Sequence, residues 1–151
     1  MRNRNSVKIL KGLSDGIRCL KVLSNNLFAC GCVDATIKLF EGFSGECIKT
    51  LVGHSGWVNY LDVLMQQLLI SSSSDQTLRV WNLENEGICI KILHIRHTNG
   101  INCIKLISNK ELLSGSYDGC LKVWDLKTGL CLRTIQTDTS LWKIEYCSVL
   151  I

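Results

Sequence analysis

Histidine, serine and aspartate occur together twice along this chain: His54, Ser71, Ser73 and Asp75, then His97, Ser114, Ser116 and Asp118. A serine activated by an imidazole, itself oriented by a carboxylate, is the machinery of acyl transfer. Two features oppose that chemistry here. A reaction centre is needed once, whereas this set recurs in phase. The serines also fall inside regular strand patterns, not on the strained elbow that presents a nucleophile. The other use of the same groups is structural: an aspartate in a hairpin turn can accept hydrogen bonds from turn N–H groups and from a histidine on a neighbouring loop. No catalytic residue is assigned, and no enzyme activity is expected.

The elements that must carry these groups are short strands. Residues 113–124, LSGSYDGCLKVW, read as a strand, a tight turn at Asp118-Gly119 and a second strand ending in Trp124. Residues 70–81 (ISSSSDQTLRVW) and 29–40 (ACGCVDATIKLF) repeat that pattern. The turn aspartates Asp34, Asp75 and Asp118 stand 41 and 43 residues apart, and Phe40, Trp81 and Trp124 keep the same spacing. A period of about 40–45 residues marks one supersecondary unit copied serially.

Alternation of apolar and polar residues predicts four strands per unit. They fall near 17–23, 27–32, 36–40 and 46–51, then near 58–64, 68–73, 77–82 and 88–93, then near 101–107, 111–116, 120–125 and 130–135. The units are 14–54, 55–97 and 98–140 within a single domain, 1–151. Residues 6–13 (SVKILKGL) align with 47–54, so 1–13 read as the end of a preceding unit. Residues 141–151 (LWKIEYCSVLI) read as the inner strand of a following one.

These residues resemble the WD-repeat family of β-propellers. The hallmark pieces are Gly53-His54, Ser73-x-Asp75 and Trp81-Asn82 in one unit, and His97, Ser116-x-Asp118 and Trp124-Asp125 in the next. The resemblance implies an all-β fold: a partial β-propeller of three four-stranded antiparallel blades, with stray strands at both ends. It also implies buried tetrads of histidine, serine, aspartate and tryptophan. Those would be His54, Ser71 or Ser73, Asp75 and Trp81, and His97, Ser114 or Ser116, Asp118 and Trp124, with Ser73 and Ser116 taken as the serines. The first unit departs from the pattern, with Leu13 at the histidine site, Cys30 and Cys32 at the serines and Phe40 at the tryptophan. Only Asp34 survives, so packing alone is expected to hold that blade.

Composition excludes several classes. At 46% hydrophobic and 20% charged residues the chain is globular, not disordered. A net charge of +4 without a basic block makes nucleic acid an unlikely partner. No apolar run is long enough to insert in a membrane, and no secretory signal is visible, so an intracellular setting, cytoplasmic or nuclear, is expected. Of the nine cysteines, Cys47, Cys89 and Cys131 repeat at one site, and Cys19 and Cys103 share another. Equivalent sites in neighbouring blades lie about 10 Å apart, too far for a direct bridge. Reduced thiols serving as small apolar groups are expected, with neither metal nor cofactor; Cys30-Gly-Cys32 lacks a second pair at zinc spacing.

The resemblance also locates a partner-binding face, on the loops before strand one and between strands two and three. Counting from the histidine site places Gly16, Arg18 and Val33, then Trp57, Asn59 and Ser74, then Gly100, Asn102 and Tyr117 there as exposed positions, with Leu141 and Lys143 next. Arg18, Trp57, Asn59, Ser74, Asn102 and Tyr117 are the candidates to bind peptide or protein. Arg, Trp and Tyr are the types enriched at hot spots. Basic residues also align: Lys38, Arg79 and Lys122 in strand three, and Lys49, Lys91 and Arg133 in strand four. They read either as a basic rim for RNA or anionic lipid or as protection of an exposed edge.

A non-catalytic interaction scaffold is the function expected. A substrate receptor of a ubiquitin ligase is the alternative, since Trp124-Asp125-Leu126-Lys127 approximates the family's Trp-Asp-x-Arg adaptor signature with lysine for arginine. Closed propellers have typically four to eight blades. A blade face of about 350 Å² left uncovered forgoes roughly 9 kcal/mol, so further blades or self-association are expected to complete the ring.

Overall fold

The computed structural model describes residues 9–24, 26–65, 67–84, 86–94 and 97–138. The expected stray strand at 141–151, with Leu141 and Lys143, lies outside the described residues, as do residues 1–8. Twelve strands form three four-stranded antiparallel sheets, with no helix among the described residues. The first blade contains β1 (Ile17–Ser24), β2 (Leu27–Cys32), β3 (Ile37–Glu41) and β4 (Cys47–Leu51). The second contains β5 (Val58–Met65), β6 (Leu68–Ser73), β7 (Thr77–Asn82) and β8 (Ile88–His94). The third contains β9 (Ile101–Leu106), β10 (Glu111–Ser116), β11 (Cys120–Asp125) and β12 (Cys131–Gln136). Each is a plain meander with neighbours in chain order, and the inner strands β1, β5 and β9 lie side by side.

The core lies between blades, not within them. Ala29, Ile37, Leu39 and Leu51 of the first blade bury against Val58, Leu61, Leu69 and Trp81 of the second. Ile70, Leu78, Val80 and Leu93 of the second bury against Ile101, Ile104, Leu112 and Trp124 of the third. Period-2 alternation sends odd and even residues of a strand to opposite faces, so both faces of the second blade are consumed this way.

Two turns recur in every blade. Between strands two and three the aspartate carboxylate accepts from the N–H two residues on: Thr36, Thr77 and Cys120, at 3.0, 2.9 and 2.9 Å. The intervening residue is left-handed, with φ of 66° at Ala35, 68° at Gln76 and 76° at Gly119. Only Gly119 adopts this without steric cost; the Asx bond holds the other two. Between strands three and four, Gly45, Gly87 and Gly129 have φ of 74°, 75° and 78°. A leucine from the segment that precedes the blade packs on each: Leu10 on Gly45, Leu51 of β4 on Gly87 and Leu93 of β8 on Gly129. Residues 9–13 are not a strand, yet Lys11 N–H reaches Gly45 O at 3.3 Å. Leu10 thus sits where a preceding blade's fourth strand would place its leucine.

The first blade is not held by packing alone. Phe28 and Phe40 stack with centroids 5.5 Å apart, and Cys30, Cys32 and Phe40 form a small core with Leu10 and Leu13. But Asp34 also receives the Ser14 and Thr36 hydroxyls and the Thr36 N–H. Ser14 occupies the site of Ser55 and Thr98, whose backbone N–H groups bond Asp75 and Asp118 at 3.0 and 2.9 Å. Burial pushes the Asp34 carboxyl up, but these donors outweigh it and bring it down to about 2.

The first two blades approach closely at Gly31. A Cβ there would stand 2.7 Å from Val58 Cγ1 and 2.9 Å from the Val58 carbonyl. Gly31→Ala is therefore expected to lower stability by about 1–3 kcal/mol, the usual cost of overpacking, read as a lower urea midpoint at unchanged m-value.

Candidate interaction face and its buried relays

The hairpin turns bring each aspartate beside the loop that opens its own blade. In the second blade the Trp81 indole N–H donates to Ser71 Oγ at 2.8 Å. Ser71 Oγ lies 2.7 Å from His54 Nε2, and His54 Nδ1 lies 2.7 Å from Asp75 Oδ2. The third blade repeats this through Trp124, Ser114, His97 and Asp118 at 2.8 Å for every link. An indole only donates and a carboxylate only accepts. The bond order is therefore fixed: Nδ1–H of histidine donates to aspartate, and the serine hydroxyl donates to Nε2 while accepting from tryptophan.

The serines in these relays are Ser71 and Ser114, not Ser73 and Ser116. Ser71 and Ser73 point to the same side of β6, so alternation does not separate them. Distance along the strand does: Leu69 pairs with Trp81 and Ser71 with Arg79, so Ser71 is one diagonal step from the indole, about 7–8 Å between backbones. Ser73 lies a further step away. Its hydroxyl instead donates to Gly56 O and accepts from Asp75 N–H, at 2.9 and 3.0 Å. Ser116 likewise donates to Gly100 O at 2.9 Å and accepts from Asp118 N–H at 3.1 Å.

The serine–histidine–aspartate connectivity matches a hydrolase triad, but Ser71 and Ser114 are 0% exposed and their oxygens already accept indole protons. Burial pushes the Asp75 carboxyl up, but His54, Thr77 and Ser55 more than reverse this and hold it well below the usual range. Asp118 is also held low: burial is overcome by bonds from His97, Thr98 and Cys120. Burial pushes the His97 imidazole down, against the pull of Asp118.

The face above these relays is built from paired loops. Val33 N–H bonds Gly16 O, Ser74 N–H bonds Trp57 O, and Tyr117 N–H bonds Gly100 O, at 2.9, 2.9 and 3.1 Å. Trp57 is 49% exposed, and the exposed Arg18 guanidinium lies 5.1 Å from its ring centroid. The pair spans the first and second blades. Ser74 and Tyr117 are half-buried. Asn59 and Asn102, expected at the surface, are only 7% and 8% exposed. Asn59 Nδ2 donates to Ser74 Oγ at 3.0 Å and to Ile101 O at 2.9 Å, bracing the second blade against the third. Gly100 is buried as well. Counting residues gives the position on a blade but not how closely the next blade approaches.

The four aligned lysines turn to the next blade or into their own sheet, not outward as a rim. Lys49 Nζ crosses to Leu83 O of the next blade at 3.1 Å, and Lys91 Nζ crosses to Leu126 O and Lys127 O, both at 2.7 Å. Lys38 and Lys122 are buried, Lys38 beside Asp34 at 3.6 Å and Lys122 donating to Thr134 Oγ1 at 3.0 Å. The eight described cysteines are free thiols, and no group of described residues could hold a metal ion.

Two outcomes follow from the relays. Ser71→Ala leaves a buried indole N–H and imidazole nitrogen unpaired, so about 1–3 kcal/mol of stability should be lost. Adding Trp81→Phe should cost less than the two single changes summed, as measured by a double-mutant cycle in urea. Stability should also fall with pH in two stages. The depressed His97 contributes fully only above about pH 6.5, and the depressed aspartates only above about pH 4. Thermal melts should therefore weaken as pH drops through about 6.5 and again below about 4, with the upper stage smaller in His97→Gln.

Comparison with known proteins fits this architecture. The model of the WD domain, G-beta repeat matches residues 4–41, 45–82 and 87–125. Nuclear distribution protein PAC1 of Gibberella zeae is 44% identical over 70 residues, 46% of this chain and 15% of that protein. Nuclear distribution protein nudF of Aspergillus terreus is 41% identical over 75 residues, 49% of this chain and 17% of that protein. The matched segments thus span about a sixth of these relatives' length. The crystal structure of the WD40 β-propeller domain of Doa1 superposes with a TM-score of 0.74 at 22% identity, covering 87% of this chain and 43% of that one. With three in-phase matches, three four-stranded sheets and two buried relays, the chain belongs to the WD-domain, G-beta repeat family.

Proposed function

We propose that this chain is a non-catalytic protein-interaction scaffold, and that the face carrying Trp57 and Arg18 receives a peptide or protein. The observation that carries this reading is the half-exposed Trp57 ring, held across two blades by the Arg18 guanidinium. An ordered ring with uncovered apolar surface offers contact area at low entropic cost, and Trp and Arg are the types that dominate interface energies. The sealed serines support the non-catalytic part. The lysine crossings commit the ammonium donors of the aligned rows to main-chain carbonyls of the next blade instead of presenting them to RNA or anionic lipid, so protein is favoured over both. The names of the nuclear distribution relatives support a cytoplasmic or nuclear setting.

Affinity capture followed by mass spectrometry tests this. Trp57→Ala and Arg18→Ala should each weaken captured protein partners by roughly tenfold or more, with the melting temperature preserved because both side chains are exposed. Binding that survives both changes but is lost in Arg133→Ala, together with binding to RNA or anionic vesicles, would replace this reading with a basic surface.

A further inference from the structure

One position of the inner strand is used differently in the first two blades. Asn59, the second residue of β5, turns its amide to Ile101 O of the third blade at 2.9 Å. Arg18 holds the same position in β1, and Val58 O is the carbonyl that corresponds to Ile101 O. The Cys19 thiol meets that carbonyl, at 3.7 Å, and Arg18 makes no such brace. Its exposed side chain lies over the Trp57 ring instead, 5.1 Å from the centroid.

Stacking fixes a guanidinium in place without using its hydrogen bonds. Its N–H donors remain as a rigid planar fork, the shape that carboxylates and phosphates fit. Among the described residues no carboxylate or carbonyl pairs with the Arg18 fork. The Trp57 ring beside it is half-exposed. An oriented cation with unspent donors next to open ring surface suits a ligand that brings an anion and an apolar group together.

The surrounding charge decides which anion. Asp15 is exposed on the loop before β1, and Asp34, Asp75 and Asp118 hold the hairpin turns of the same face. The Lys38 ammonium already lies beside Asp34, at 3.6 Å. Among the described residues of these loops and turns, and the first two residues of β1, β5 and β9, Arg18 is the only lysine or arginine. A phosphate group carries about −1.5 to −2 charge and is held by clustered arginines. One carboxylate matches one guanidinium in charge and in bidentate geometry. We propose that Arg18 receives the carboxylate of a single aspartate or glutamate in a partner peptide, with a neighbouring apolar side chain of that peptide laid on Trp57. This specifies the partner of the face already assigned to peptide or protein binding, and it rests on that assignment.

Selection from a displayed library of random peptides, each continued at its C-terminus into the display protein, tests it. Wild-type chain and Trp57→Ala would be panned in parallel. Peptides retained only by the wild type would be synthesised with both termini blocked and titrated by fluorescence anisotropy. They should carry aspartate or glutamate near an apolar residue. Changing that acid to its amide should weaken binding about tenfold or more in the wild type, but less than about twofold in Arg18→Gln. Wild-type-specific peptides without an acid, or an equal loss in Arg18→Gln, overturn the proposal and leave the peptide-binding face standing. Tighter binding with phosphoserine in place of the acid overturns it in favour of phosphate. If no peptide distinguishes the wild type from Trp57→Ala, both readings fall.

Discussion

A four-stranded sheet with two apolar faces can cover neither of them by itself. Everything in this molecule answers that constraint. The hydrophobic residues do not gather into a centre; they form two layers between successive sheets. Each blade is stable only as a neighbour, and its sequence is written for two neighbours. This is why similar residue types recur at a fixed spacing: every junction poses the same packing problem.

Apolar layers alone would let sheets slide, and the polar groups prevent it. Each relay ties the opening loop of a blade to its second and third strands, so the inner strand enters at one height. The relay has a single direction, from indole to carboxylate, with every intermediate proton assigned. Lysines at the outer strand and Asn59 at the inner strand then fasten one blade to the next through main-chain carbonyls. These bonds recognise backbone, so they tolerate changes in the side chains opposite. The first blade shows how far that tolerance extends: thiols and a phenyl ring replace the relay, and Ser14 supplies the donor that Asp34 still requires.

Much of this was legible in the residues. Strand positions, turn aspartates and the tryptophan spacing followed from alternation and period, and the strands formed within about a residue or two of the expected limits. What was hidden had a common cause. Choosing Ser71 over Ser73 requires the register between β6 and β7, since both face the same side. The burial of Asn59 and Asn102 depends on how near the adjacent blade comes. The lysine rows gave no sign of their targets, which are carbonyls of the next unit. One strand's pattern specifies its own sheet; only the assembled stack specifies what crosses between sheets.

The thiols of the first blade carry a separate consequence. Burial drives Cys19 up to about 12 and Cys30 up to about 11, so at neutral pH almost none of either is thiolate. Electrophiles and mild oxidants act on thiolate, so the junction between the first two blades keeps Cys19 chemically silent, and the small core with Cys32, Phe40, Leu10 and Leu13 does the same for Cys30. Slow alkylation of Cys19, set against the prompt labelling of the exposed Cys131, would report how often that junction breathes.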